Sequence, residues 1–199
     1  MRTSTAVTVP TQFVEANGIR FASRRFGKQG GIPLVFHQHF TGNLDNWDPA
    51  VTDGLAQERE VILCNHAGIA SSTGEVPKTF AGMAKNAEAF IDALGLKQVD
   101  ILGFSMGGMV AQMIALDRPE LVRKLMLVGT APRNPDHGNG EGALTPETQV
   151  IFGADYNPPE HLWLKVFLTD SAQSQAAGRA FGVPVAGVCS GYVFMPFRT

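Results

Sequence analysis

Only two cysteines occur in the sequence, and this scarcity argues against two classes of small protein. Cys64 and Cys189 lie far apart, with no CxxC pair and no ligand spacing around them. A disulfide-stapled scaffold and a structural zinc site are therefore not expected. A reduced, cytoplasmic protein is the expectation that follows.

The sequence also has little net charge and no long apolar runs. The formal net charge is −2 over 199 residues, so neither a nucleic acid nor an anionic membrane surface is an expected partner. The N-terminal residues contain no continuous apolar segment typical of a signal peptide, and no stretch is long enough to span a bilayer. With 44% hydrophobic residues, the chain suits one soluble globular domain with a sizeable core.

Short apolar runs alternate with amphipathic segments along the first two thirds of the chain. The runs predict strands at 11–16, 19–26, 32–37, 61–64, 98–104 and 125–128. The amphipathic segments predict helices at 49–56, 80–94 and 107–116, and Asn17-Gly18 predicts a hairpin between the first two strands. Strands that alternate with helices indicate an α/β fold whose mostly parallel sheet is covered by helices on both faces.

The character of the sequence changes after Arg133. Residues 134–142 are polar and glycine-rich, and three short helices are predicted to begin near Thr145, Asn157 and Ser171, the third running to Ala180. We interpret 1–133 as a core, 134–181 as a linker with a helical lid, and 182–199 as an atypical tail. The second lid helix carries an apolar stripe that includes Leu162, Trp163 and Phe167.

A serine between glycines marks the junction of the fifth strand and its helix. Gly103-Phe104-Ser105-Met106-Gly107 fits the pattern G-x-S-x-G, in which a tight turn exposes the serine at a helix N-terminus. Side chains two residues to either side would clash with neighbouring elements, and glycine removes the clash. The serine is a candidate nucleophile, and the amide of Met106 is a candidate donor to an oxyanion. A buried serine in a glycine-rich packing turn is the alternative.

Four segments resemble the α/β-hydrolase fold family, of the esterase, lactonase and cofactor-free haloperoxidase type. They are PLVFHQHFTGNLDNWDP, VILCNHAGIASSTG, VDILGFSMGGMVAQMIAL and RPELVRKLMLVGTAPR. The resemblance covers roughly residues 13–180. It implies a helical lid over the sheet, no cofactor, and Ser105 as nucleophile, with the amides of Phe40 and Met106 as the oxyanion hole. It also implies an apolar substrate pocket formed by Leu162, Trp163 and Phe167.

Two short segments depart from the family pattern. Gln38-His39 stand where the family has His-Gly, which places a side chain close to the pocket mouth. Asn65 and Ala70 stand where an Asp and a Gly are usual, so a charge that often pins this loop is absent.

The catalytic base of the family has no evident counterpart in the sequence. The family places an acid after its seventh strand and a His after its eighth, and two further strands with helices need at least ~30 residues. The tail 182–199 is shorter than that and contains no Asp, Glu or His. We therefore expect a shortened or altered hydrolase that lacks the last two strands. His39 is a candidate substitute base, although packing against Trp47 or the loop is the simpler expectation; His137 and His161 are weaker candidates.

Three histidines near one sheet edge raise the question of a metal. His37 and His39 are two residues apart on a predicted strand, and His66 ends a neighbouring strand. No carboxylate or cysteine completes the set, so no metal is expected.

The function implied by the resemblance is hydrolysis of a small ester, lactone or similar acyl substrate through Ser105. Without the acid and the His, turnover is expected to be severely reduced. The alternative is a non-catalytic receptor or interaction module that keeps a small-ligand pocket. The strand at 125–128 is expected to be an apolar sheet edge, which favours self-association.

Overall fold

The computed structural model describes residues 4–39, 42–132 and 169–186, with side chains to residue 179 in the last segment. The chain forms two compact units, one of residues 1–140 with 191–199 and one of residues 141–190. The predicted linker, the first two predicted lid helices and most of the predicted tail lie outside the described residues.

A six-stranded mixed sheet organises the first unit. Its strands are β1 (Gln12–Ala16), β2 (Ile19–Gly27), β3 (Leu34–His37), β4 (Glu60–Cys64), β5 (Val99–Phe104) and β6 (Val122–Val128). They are arranged in the order β1-β2-β4-β3-β5-β6. β1 and β2 pair antiparallel, β2 joins β4 antiparallel, and the pairs β4-β3, β3-β5 and β5-β6 are parallel. The prediction of a mostly parallel α/β sheet is confirmed.

The hairpin between β1 and β2 forms where the Asn-Gly pair predicted it. Asn17 and Gly18 have φ angles of 50° and 74°. Positive φ at both central residues is the requirement of a two-residue type I′ turn, and Asn and Gly are the residues that tolerate it best. The turn sets the register, in which Ala16 lies opposite Ile19.

Helices cover both faces of the sheet. They are α1 (Pro49–Ala56), α2 (Phe80–Ala93) and α3 (Met106–Asp117). One core cluster joins α2 and α3 to one face through residues such as Phe90 and Ile114, and a second cluster packs Ala56 of α1 on the other face, against Phe26 and Leu63. Central strands such as β4 are buried along their whole length because both of their faces are covered.

The helix ends follow local capping chemistry. The Asp48 side chain accepts a hydrogen bond from the N–H of Ala50 and is followed by proline at the first position of α1. Thr79 caps α2 in the same way through the N–H of Gly82. Gly95, at φ 72°, lies just past the end of α2, as its position in the sequence predicts.

A buried ionic cluster lies where β5 begins. The Asp100 carboxylate is fully buried and accepts hydrogen bonds from Arg59 at 2.6 Å and from Arg123 at 2.7 and 2.9 Å. Burial alone raises the pKa of Asp100, but the hydrogen bonds and charges of Arg123 and Arg59 outweigh burial and hold it below its usual range. The cluster ties β5 and β6 to the start of β4.

The described part of the second unit contains one helix, α4 (Ala172–Ala186). Ser171 precedes it, and its hydroxyl accepts a hydrogen bond from the N–H of Ser174, as expected of a cap. The helix continues past Ala180, where the third lid helix was predicted to end, and crosses the predicted boundary between residues 181 and 182. Among the described residues no helix is both long and apolar enough to cross a membrane.

Candidate active site

Ser105 occupies a strained turn between β5 and α3. Its backbone angles are φ 52° and ψ −120°, in a region that only glycine adopts without strain. The Ser105 N–H donates to the carbonyl of Val128 in β6 at 2.9 Å, and its carbonyl accepts from the N–H of Gly108 in α3 at 2.9 Å. These two hydrogen bonds hold the backbone of the turn in place. Strain of this kind costs about 1–3 kcal/mol and occurs mostly at functional sites. The geometry is that of a nucleophile elbow.

The glycines around Ser105 are required by close backbone approach. A Cβ atom on Gly103 would overlap the carbonyl oxygen of Gly107, and one on Gly107 would overlap the carbonyl oxygen of His37. A Cβ atom on Gly108 would lie 2.5 Å from the Thr130 side chain. The predicted reason for Gly103 and Gly107 therefore holds in the structure. The requirement at Gly108 was missed, although the doubled glycine in the sequence signals it.

The strained serine gives a direct prediction about stability. Ser105→Gly removes the cost of positive φ, whereas Ser105→Ala keeps it. We expect the glycine variant to be more stable than the alanine variant by about 1 kcal/mol. Urea unfolding of the two variants, followed by circular dichroism, measures the difference. An alanine variant that equals or exceeds the glycine variant would show that the turn is relaxed.

The N-terminus of α3 carries the Met106 N–H, which is predicted to be one donor of an oxyanion hole. Met106 is the first residue of the helix, and the first N–H groups of an α-helix have no acceptor within the helix. The helix dipole also favours negative charge at this end. Phe40, the predicted source of the second donor, lies outside the described residues.

The loop after β3 packs directly against this helix end. The carbonyl groups of His37 and Gln38 both approach Gly107. The Gln38 side-chain oxygen accepts from the N–H of His39 at 3.0 Å, and the N–H of Gly42 donates to the His39 carbonyl at 3.0 Å. The segment on either side of Phe40 is thus held beside the first turn of α3.

His39 is buried against an aromatic cluster. Its ring meets Phe104 edge-on, with ring centroids 5.5 Å apart, and Phe104 in turn packs against Trp47. Burial lowers the pKa of His39 to about 4, so the imidazole is neutral near pH 7. The Ser105 hydroxyl makes no capping hydrogen bond to the first N–H groups of α3. The role of His39 as a substitute base stays a prediction.

His37 and His66 form a second buried imidazole pair. Their rings stack with centroids 5.4 Å apart at an interplanar angle of 24°. Burial lowers the pKa of His37 to about 3, with a smaller contribution from His66, and burial lowers that of His66 to about 4. In the part of the chain that the structure describes, no three His, Cys, Asp or Glu side chains are grouped to hold a metal.

Asn65 connects the loops on either side of the site. Its side-chain oxygen accepts from the N–H of Leu44 at 2.6 Å, and its amide nitrogen donates to Ser71 at 3.4 Å. The residue is buried. The sequence suggested that Asn65 loses the charge that pins this loop, but the neutral amide makes the pinning contacts itself.

Replacing Asn65 is expected to loosen this connection. Asn65→Leu leaves the buried N–H of Leu44 without its acceptor, which costs about 1–3 kcal/mol. Asn65→Asp keeps an acceptor for Leu44 and is expected to lose less. Thermal unfolding of both variants, with amide hydrogen exchange at Leu44, checks this order. Equal losses in the two variants would show that the hydrogen bond to Leu44 is not the stabilising contact.

The predicted pocket residues Leu162, Trp163 and Phe167 lie outside the described residues, as do His137 and His161. The described parts of the site are therefore the elbow, the helix end and the two loops that pack beside it.

The chain belongs to the alpha/beta hydrolase fold family, whose sequence model matches residues 32–158, more than half of the chain. A solved alpha/beta hydrolase fold protein from Chitinophaga pinensis superimposes with a TM-score of 0.81 at 35% identity, over 94% of this chain and 66% of that one. Ser105, its glycines and strands β3 to β6 lie within residues 32–158.

Two curated relatives match shorter segments. A poly(3-hydroxyalkanoate) depolymerase of Ectopseudomonas oleovorans is 36% identical over 119 residues, which cover 59% of this chain and 41% of the relative. A putative carbamate hydrolase RutD of Azorhizobium caulinodans is 31% identical over 99 residues, which cover 49% of this chain and 37% of the relative. The matched part thus spans less than half the length of each of these relatives.

Proposed function

We propose that this chain carries a serine hydrolase site that cleaves a small ester, lactone or similar acyl substrate through Ser105. The observation that carries the proposal is the strained backbone of Ser105 at the N-terminus of α3. A fold maintains strain at a polar residue when that residue must be held in one exposed position. The names of the two curated relatives refer to a carbamate and to a polyalkanoate, and both of these carry an acyl carbon.

The proposed reaction begins with attack of the Ser105 oxygen on the substrate carbonyl carbon. The carbonyl oxygen gains negative charge beside the Met106 amide and the positive end of α3, and Phe40 is proposed as the second donor. The tetrahedral intermediate then expels the alcohol, which takes up the proton lost by Ser105. Water next attacks the acyl-serine, which releases the acid and returns the proton to Ser105.

Slow turnover is part of the proposal. His39, the candidate base among the described residues, has a depressed pKa and packs against Phe104. An imidazole whose pKa is that low is a weak general base, so Ser105 is proposed to be a weak nucleophile near pH 7. Leu162, Trp163 and Phe167 remain the proposed apolar pocket, and the cytoplasm remains the proposed location.

Hydrolysis of p-nitrophenyl butyrate, with and without added imidazole, tests the proposal. The unaltered chain is expected to hydrolyse the ester slowly, and imidazole is expected to accelerate it by acting as the base. Ser105→Ala serves as the matched control, because it retains the fold and reports the reaction of imidazole with the ester in solution.

Three results are distinguishable. A rate above that of Ser105→Ala, raised further by imidazole, supports the proposal. Fast Ser105-dependent turnover without imidazole would show that a base is already in place and would overturn the slow-turnover claim. Equal rates in both proteins would overturn the role of Ser105, and saturable ester binding without hydrolysis would then favour the receptor alternative.

A further inference from the structure

An open cavity of about 390 Å³ lies between the β1–β2 hairpin and α2. One face of α2, whose residues recur three or four positions apart, forms one wall, and the end of β1 with the turn that follows it forms the other. The cavity is lined by Ala16, Asn17, Lys85, Glu88, Ala89, Asp92 and Ala93. All seven residues are described, and β1 is the strand at the opposite edge of the sheet from β6. The cavity is therefore built from residues other than those of the elbow and its neighbouring loops.

Glu88 is the buried acid of this cavity. The residue is 6% exposed, and its Oε2 accepts a hydrogen bond from the Lys85 ammonium group at 3.1 Å. Among the described residues, Oε1 of the same carboxylate has no hydrogen-bond partner. Burial of a carboxylate oxygen without a donor is costly, and native structures nearly always satisfy such an atom. Glu88 therefore has an open acceptor position for a donor from outside the chain.

The charges around the cavity favour a cation as the source of that donor. The lining contributes two carboxylates and one ammonium group, which gives it a formal net charge of −1. Asp92 contacts Arg118 at 3.2 Å, and Lys85 contacts Asp117 at 3.2 Å. The Lys85 side chain is 62% exposed, so it can swing toward Asp117 and uncover Glu88. In the part of the chain that the structure describes, no three metal-binding side chains are grouped, whereas an ammonium group brings both a positive charge and N–H donors.

We propose that this cavity binds a small alkylammonium cation, whose N–H groups donate to Oε1 of Glu88. Asp92 lies one helical turn further along the same face of α2 and adds a second negative charge beside the cation. The alkyl part of the ligand packs against Ala16, Ala89 and Ala93, whose short side chains leave the room for it. The cavity is thus a binding site for a primary amine, and it does not depend on the chemistry of Ser105.

Titration of the ¹⁵N-labelled full chain with n-butylammonium, followed by NMR, tests the site. We expect saturable shifts of the backbone amide signals of Asn17, Ala89 and Ala93. Tetramethylammonium is the matched probe, because it has the same atoms and charge but no N–H donor, and it is expected to bind about tenfold more weakly. Equal binding of the two cations would overturn the proposal. So would the absence of saturable shifts with n-butylammonium, which would mean that water alone meets the Glu88 oxygen.

Three variants locate the binding. Glu88→Gln is expected to weaken n-butylammonium binding by about tenfold, whereas Glu58→Gln is expected to leave it unchanged, because the Glu58 side chain is 83% exposed and lies outside the cavity. Ala89→Leu keeps the carboxylate but fills the cavity, and it is expected to abolish binding. Circular dichroism confirms that each variant is folded. Equal weakening by Glu88→Gln and Glu58→Gln, or full binding to Ala89→Leu, would overturn the proposal.

Discussion

Lowering the pH from about 7 to about 5 is expected to remove about 6 kcal/mol of stability. His37, His39 and His66 are buried, and burial lowers their pKa values to about 3, 4 and 4. The unfolded chain binds protons at these residues near pH 6.5, whereas the folded chain does not. Their stabilising contribution is therefore complete above pH 6.5 and is lost as the pH falls toward 4, at about 2 kcal/mol per histidine by pH 5.

The size of this loss is comparable with the whole stability of a typical domain, which is about 5–15 kcal/mol. We therefore expect the chain to unfold near pH 5. This is a higher pH than that at which protonation of carboxylates alone unfolds a protein. The lowered pKa of His37 already includes repulsion from His66, since protonation of both would place two positive charges in one buried site.

Urea unfolding at about pH 7, 6 and 5 measures the loss. The free energy of unfolding should fall by roughly three times 1.4 kcal/mol per pH unit between pH 6 and 5. His66→Asn is expected to reduce that slope by about one third. His161→Gln is the control, because it removes a histidine other than the three buried imidazoles. A free energy of unfolding that is constant from pH 7 to pH 5 would contradict the burial of the three imidazoles.

Asp100→Asn is expected to destabilise the fold by about 3–5 kcal/mol. The Asp100 carboxylate is fully buried and receives hydrogen bonds from both Arg59 and Arg123. Removing one partner of a buried ionic group leaves the remaining charge uncompensated, which costs far more than the net value of the pair. Asparagine has nearly the same size as aspartate, so no cavity forms. The decrease in the free energy of unfolding therefore comes from the lost charge and hydrogen bonding.

An exposed ion pair provides the matched control. Glu120 is 64% exposed and pairs with Arg118 at 2.6 Å, so Glu120→Gln is expected to cost far less than Asp100→Asn. Chemical denaturation of both variants near pH 7 gives the comparison. A cost for Asp100→Asn as small as that for Glu120→Gln would mean that the buried cluster does not stabilise the sheet.

Local signals predicted most of the sheet and helices. The Asn17-Gly18 turn was predictable because its conformation demands those residue types. The elbow at Ser105 was predictable because its glycines are imposed by backbone contacts. The start of β6 was not predicted: the structure places it at Val122, three residues before the predicted start. Arg123 and Lys124 look like a loop in sequence, whereas in the structure Lys124 lies opposite Asp100 of β5 and Arg123 donates to the Asp100 carboxylate.

Side-chain direction at the site was less predictable. His37 and His39 were expected to share a face because residues two apart on a strand do so. The structure ends β3 at His37, so the alternation does not extend to His39. His37 stacks on His66, whereas His39 packs against Phe104. These contacts depend on where the chain leaves the sheet, which the hydrophobic pattern does not specify.

Covalent acylation of Ser105 is the most direct test of the proposed site. The full chain would be incubated with p-nitrophenyl acetate, quenched with acid, and analysed by peptide mass mapping, with Ser105→Ala as control. The proposal predicts an acetyl group on the peptide that contains Ser105, at a level that rises with added imidazole. Absence of the acetyl group from Ser105, or equal acetylation of unrelated serines, would contradict a nucleophilic role for Ser105.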